Sequence, residues 1–119
     1  PKATGNEQDI NVADLIPIGR ENAITRSYLV TLCVEHGLVD EKSRDKDRIM
    51  RKLVERARLD YTILNLSNGD GYYRPSIKDI QDLQKYIRQE ENRAKSTFRN
   101  ITNAKALYED YIHNRIEDD

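Results

Sequence analysis

Residues 43–58 read Ser43-Arg44-Asp45-Lys46-Asp47-Arg48-Ile49-Met50-Arg51-Lys52-Leu53-Val54-Glu55-Arg56-Ala57-Arg58. After Leu59 and Asp60, residues 61–75 read Tyr61-Thr62-Ile63-Leu64-Asn65-Leu66-Ser67-Asn68-Gly69-Asp70-Gly71-Tyr72-Tyr73-Arg74-Pro75. The first stretch has the period of a helix, with Ile49, Met50, Leu53, Val54 and Ala57 on one stripe. Arg44, Arg48, Arg51, Glu55 and Arg58 recur opposite it, within about 80° at 100° per residue, and Lys52 and Arg56 lie to one side. Ser43 or Asp45 can cap this helix, which runs to about Leu59, and the sequence does not choose between them. The second stretch has β-branched and aromatic residues on either side of Asn68-Gly69, which predicts a β-hairpin ended by Pro75.

Charge sets residues 43–58 apart. They hold seven bases against three acids, a local balance of +4 in a chain whose formal net charge is -1, so the remainder carries −5. Working outward toward the N-terminus, Asp40-Glu41-Lys42-Ser43, which follows Gly37-Leu38-Val39, is enough for one short helical turn. Before them Thr25 caps a helix in which Leu29, Leu32, Cys33 and His36 share a face and Gly37 supplies the stop. Ile24 and Leu29 have the spacing of a hydrophobic staple across that cap. Leu15-Ile16-Pro17-Ile18-Gly19 is a short apolar entry segment, and residues 1–14 read as a flexible leader.

Toward the C-terminus, Ser76 with Asp79 three residues on has the form of a capping box, and no Gly or Pro follows Ser76. Ile80, Ile87, Ala94, Ile101 and Tyr108 repeat every seven residues. Leu83 starts a partner seam, which Glu90 and Thr97 interrupt and beside which Phe98 is displaced by one position. A single helix of about 40 residues there would be about 60 Å long, too long to bury its stripe on its own small domain. Either it bends near Asn100-Ile101-Thr102-Asn103 or it packs on a second copy. The second alternative makes Ile80, Leu83, Ile87, Ala94, Phe98, Ile101 and Tyr108 a homodimer interface.

The composition excludes several function classes. One cysteine and two histidines cannot assemble a Cys/His zinc cluster. Asn68-Gly69-Asp70-Gly71 lacks the Lys-Ser/Thr of a phosphate-binding loop, and no carboxylate pair sits in an apolar setting suited to acid catalysis. The sequence therefore predicts no enzyme, cofactor or metal. The uncharged runs are far too short for a bilayer span. With a lone Cys33 and a polar Pro1-Lys2-Ala3-Thr4-Gly5 start, the expected setting is cytoplasmic, without a membrane partner.

The order helix, tight connection, basic helix, Asn-Gly hairpin resembles a winged helix-turn-helix domain, mainly α with a small β-hairpin, here over residues 15–75. More narrowly, residues 16–108 resemble small winged-helix proteins of phages, prophages and mobile elements of Gram-positive bacteria. The likeness is carried by Ile16-Pro17, Gly19-Arg20-Glu21-Asn22-Ala23-Ile24, Gly37-Leu38, Asp47-Arg48, Thr62-Ile63, Gly71-Tyr72-Tyr73-Arg74-Pro75, Tyr86-Ile87 and Arg93-Ala94. Val39–Arg44 departs from it, being longer and more charged than the usual turn.

The resemblance implies double-stranded DNA as the partner, with a recognition helix of about residues 45–58 in the major groove and the hairpin on the backbone. Arg44, Lys46, Arg48, Arg51 and Lys52 are then the groove-facing candidates, a bidentate arginine–guanine pair being worth about 1–3 kcal/mol of discrimination. Arg56 and Arg58 would meet phosphates, as would Ser67, Asn68, Gly69 and Arg74 in the wing. The role implied is a transcription regulator or a replication or recombination accessory factor. The near-neutral overall charge leaves a rival open: an interaction module that inhibits or recruits a host nucleoprotein machine, or binds another phage protein. Tyr72 and Tyr73 are expected to pack between hairpin and helix rather than to stack on single strands.

Overall fold

Thr25 begins the first α-helix as its spacing predicts: the Thr25 hydroxyl oxygen accepts from the Tyr28 N–H at 3.1 Å, and α1 spans Arg26–Glu35. This computed structural model describes residues 10–66, 68 and 70–118, with side chains described through Asn114. The chain divides into one compact unit ending at Leu83 and a second beginning at Gln84. α1 stops where Gly37 takes a φ of 77°, a left-handed conformation in which glycine meets no Cβ penalty.

α2 spans Lys46–Ala57 with Asp45 at its N-cap position, although no side-chain capping bond forms there. Residues 40–43 are not the helical turn that their composition predicts. Asp40 instead organises a tight turn, its carboxylate accepting from Lys42 N–H at 3.0 Å and its carbonyl from Ser43 N–H at 3.0 Å. A short acidic side chain competes for nearby backbone donors and so favours the turn over the helix.

The core of the first unit lies between α1, α2 and a segment that the sequence predicts as leader. Residues Val12–Leu15 form one 3₁₀ turn, boxed by Asn11 and Asp14. Val12 and Ala13 from it join Ile16, Leu29, Cys33, Met50, Val54, Ile63 and Tyr72 in the buried cluster. The boundary expected at residue 14 therefore falls inside the packed domain. A single turn has too few residues to show periodicity, which is why polarity alone misplaced it.

The hairpin forms with β1 at Leu64–Asn65 and β2 at Tyr72–Tyr73, antiparallel, Leu64 opposite Tyr73 and Asn65 opposite Tyr72. The loop between them closes with Leu66 N–H on the Gly71 carbonyl at 3.0 Å. On its other edge β2 is lined by residues that lack a strand pattern. Ile24 and Tyr72 exchange both backbone bonds, at 3.1 and 2.8 Å, and Arg74 bonds back to Pro17 and Gly19 at 2.8 and 2.7 Å. Tyr72 and Tyr73 are both buried, as expected, and neither is an exposed stacking platform.

Ser76 and Asp79 make the anticipated capping box before α3, which spans Ile80–Asp118. The first unit does not end at residue 75. Asp79 also accepts from the Arg20 N–H at 3.0 Å, and Asp82 takes the Arg20 guanidinium at 3.2 Å and the Tyr73 hydroxyl at 3.2 Å. These bonds fasten the start of α3 to the domain and carry it to Leu83. Within the second unit, residues 100–103 are helical, and the Thr102 hydroxyl donates to the Phe98 carbonyl at 3.1 Å. The described protein is thus mainly helical, with a two-stranded antiparallel sheet and a long C-terminal helix.

Candidate nucleic-acid interface

α2 turns Met50, Val54 and Ala57 into the core, with Ile49 and Leu53 half-buried beside them, so its opposite face must be polar. Arg48, Arg51, Lys52, Glu55 and Arg56 are accordingly exposed. Arg44 is exposed too, but it lies before the helix, so its alignment with that face does not follow from helical spacing. Lys46 is half-buried and donates from Nζ to the Ser43 carbonyl at 3.0 Å. Among the described residues, Arg44, Lys52 and Arg56 have no side-chain partner.

Acids partly neutralise this face. Arg51 Nε donates to Asp47 Oδ2 at 2.8 Å, while Arg48 approaches Asp45 only to 3.8 Å. The second oxygen of Asp47 takes Arg26 Nε, from the first turn of α1, at 3.3 Å. Arg26 is the residue that helical reading of the basic stretch could not find, because it lies on another element. One signal was present: a cation in the first turn of a helix opposes the helix dipole, so it calls for a compensating acid nearby. Two acids supply it, Asp47 at the guanidinium and Asp70, whose Oδ1 accepts from the Arg26 backbone N–H at 3.2 Å. An open cleft of about 510 Å³ results, lined by Arg26, Ser27, Val30, Arg44, Lys46, Asp47 and Asp70.

Two expected contact residues belong elsewhere. Arg58 caps the end of α2, where its Nε donates to the Ile63 carbonyl at 3.0 Å and an Nη to Asn65 Oδ1 at 3.2 Å. Arg74 donates from Nε to the Ile16 carbonyl at 3.0 Å. Both guanidiniums hold loops of the domain together, so neither is counted in the candidate face. In the hairpin turn Asn68 is exposed, its Oδ1 accepting from Asp70 N–H at 2.9 Å, and Ser67 and Gly69 lie outside the described residues.

The titratable groups that depart from ordinary values lie away from this face or beneath it. Burial pushes the Cys33 thiol up to about 11 and, with help from Asp82, the Tyr73 hydroxyl up to about 12. Burial also raises Tyr72. Asp79 is held below the usual carboxylate range by the Ser76 N–H, then by Arg20 N–H and the Ser76 hydroxyl. Among the described residues no group of His, Cys, Asp and Glu could hold a metal ion, and no helix is long and apolar enough to cross a membrane.

The expected seam residues divide between the two units. Ile80 is exposed and Leu83 half-buried in the first, and Ile87, Ala94, Phe98, Ile101 and Tyr108 are exposed in the second. No protein-family model, curated protein or solved structure matches the chain. The chemistry of the first unit therefore rests on its own geometry: a cation-rich helix face beside a cleft lined by three bases and two carboxylates.

Proposed function

We propose that the first unit is a winged helix-turn-helix domain that binds double-stranded DNA, with α2 in the major groove, the β1–β2 turn at the backbone, and α3 joining two copies. The observation that carries this reading is the outward face of α2. Arg48, Arg51 and Lys52 project from one side of a helix whose other side is fixed in the core, with Arg44 and Arg26 at its N-terminal end. In helix-turn-helix proteins the N-terminal part of the recognition helix reaches base edges. Arg48 and Lys52 suit base or phosphate contact there, and Arg56 suits a phosphate further along. The antiparallel bridge of Ile24 to Tyr72 supports the winged form, since it adds a third extended segment to the hairpin beside α1.

The same chemistry fits a regulator or an accessory factor of a phage or mobile element, and no catalytic role is proposed. The test is duplex affinity by fluorescence anisotropy for the intact chain and for Arg48→Ala with Lys52→Ala. Both side chains are exposed, so the fold persists in the variant, whose affinity should fall about tenfold or more. Equal affinity of the two proteins would remove α2 from the interface. Absence of any binding at low salt would favour the rival role, an interaction module for a protein partner.

A further inference from the structure

The second unit is a helix whose halves carry opposite charge. Residues 84–100 contain Lys85, Arg88, Arg93, Lys95 and Arg99 against Glu90 and Glu91, a balance of +3. Residues 101–119 contain Lys105 and Arg115 against Glu109, Asp110, Glu117, Asp118 and Asp119, a balance of −3. The helix dipole does not account for this order. Acids are favoured near the N-terminus of a helix and bases near its C-terminus, the reverse of what stands here. Between the charges runs an apolar stripe: Ile87, Phe98 and Ile101 are 46%, 71% and 46% exposed. Ala94, Tyr108 and Ile112 fall with them inside about 80°.

We propose that this face is covered by the same segment of a second copy of the chain, running antiparallel and centred near residues 98–99. The proposal rests on the homodimer reading above and adds its direction. In this arrangement residues 84–97, with a balance of +2, lie along residues 101–114 of the other copy, with a balance of −1. Ile87 then faces Tyr111, Ala94 faces Ala104 and Ile101 faces Thr97 of the second copy. Glu90, which interrupts the seam, faces the Tyr108 hydroxyl, and Glu91 flanks Lys105. A parallel, in-register pair would set Glu90 against Glu90 within the seam and lay like charges along like throughout.

The test uses the full chain carrying Gln84→Cys with a spin label, the native Cys33 being buried and unreactive toward the reagent. Sedimentation gives the mass, and dipolar spectroscopy gives the distance between the two labels. The antiparallel pair places the labels about 45 Å apart, from 30 residues of helical rise. A dimer with labels closer than about 20 Å overturns the direction and leaves the dimer reading standing. A monomer at high micromolar concentration overturns both.

Discussion

Arg26 in α1 and Asp47 in α2 are joined by an ion pair of 3.3 Å, and the same carboxylate holds Arg51 at 2.8 Å. One acid thus restrains two bases at the N-terminal end of the proposed recognition helix. Asp47 also lies in the first turn of α2, where negative charge is favourable. All three side chains are about half exposed, so solvent screens the pairs.

Replacing Asp47 with Ala should release both guanidiniums. Stability should fall by about 1 kcal/mol or less in urea titration, because exposed pairs and dipole contacts are individually weak. Duplex affinity at low salt should rise by several-fold, since one negative charge leaves the surface. Weaker binding in the variant would mean that Asp47 positions the arginines rather than masking them.

Met50 and Arg48 are two residues apart on α2 and should respond oppositely to truncation. Met50 is fully buried, so Met50→Ala should cost about 2–5 kcal/mol of stability by loss of transfer energy and creation of a cavity. Arg48→Ala should change stability by less than about 0.5 kcal/mol and act on duplex affinity instead. Thermal melts and anisotropy on both variants separate the two effects.

Gly71 is required by space. A Cβ built there would come within 2.5 Å of Leu66 Cδ1 and 2.8 Å of its Cγ. Gly71→Ala should destabilise the hairpin by about 1–3 kcal/mol, as overpacking does. Adding Leu66→Ala should recover part of that loss, and a double-mutant cycle by urea denaturation measures the coupling.

Burial makes the Cys33 thiol and the Tyr73 hydroxyl weaker acids in the folded protein, which ties stability to alkaline pH. Cys33 and Tyr73 are neutral in the folded protein up to about 11 and about 12, against ordinary values of 9.0 and 10.0. Below pH 9.0 both are protonated, folded or unfolded, and their contribution is whole. As the pH rises past that value the unfolded chain loses protons first, so stability falls through the folded values. The urea midpoint should drop as the pH rises past about 9 and go on dropping through about pH 11, and Cys33→Ala should flatten the early part of that fall. Native Cys33 should also resist alkylation until the chain unfolds.

Much of the fold was legible because its signals are local and chemical. Thr25, Gly37, Ser76 and Asp79 act where their side chains predict, and the stripe on α2 selects Met50, Val54 and Ala57 for the core. Elements made by partners distant in sequence were not legible. The turn at Val12–Leu15 is boxed locally by Asn11 and Asp14 but drawn into the core by packing, and Ile24 joins β2 through two backbone bonds that any residue could make. The same reason governs the candidate face. Arg48, Arg51 and Lys52 follow from periodicity, whereas Arg58 and Arg74 are drawn inward by carbonyls and Arg26 enters from another helix.

The salt dependence of duplex binding counts the phosphates that the α2 face neutralises. If α2 and its neighbours neutralise phosphates, log affinity for random duplex DNA falls linearly with log salt, by about 0.9 per phosphate contacted. Four to six contacts then give a slope of about −4 to −5. A slope in that range for the intact chain, reduced by about 1 to 2 in Arg48→Ala with Lys52→Ala, is the result this account predicts. A slope near zero, or no binding at low salt, would contradict it.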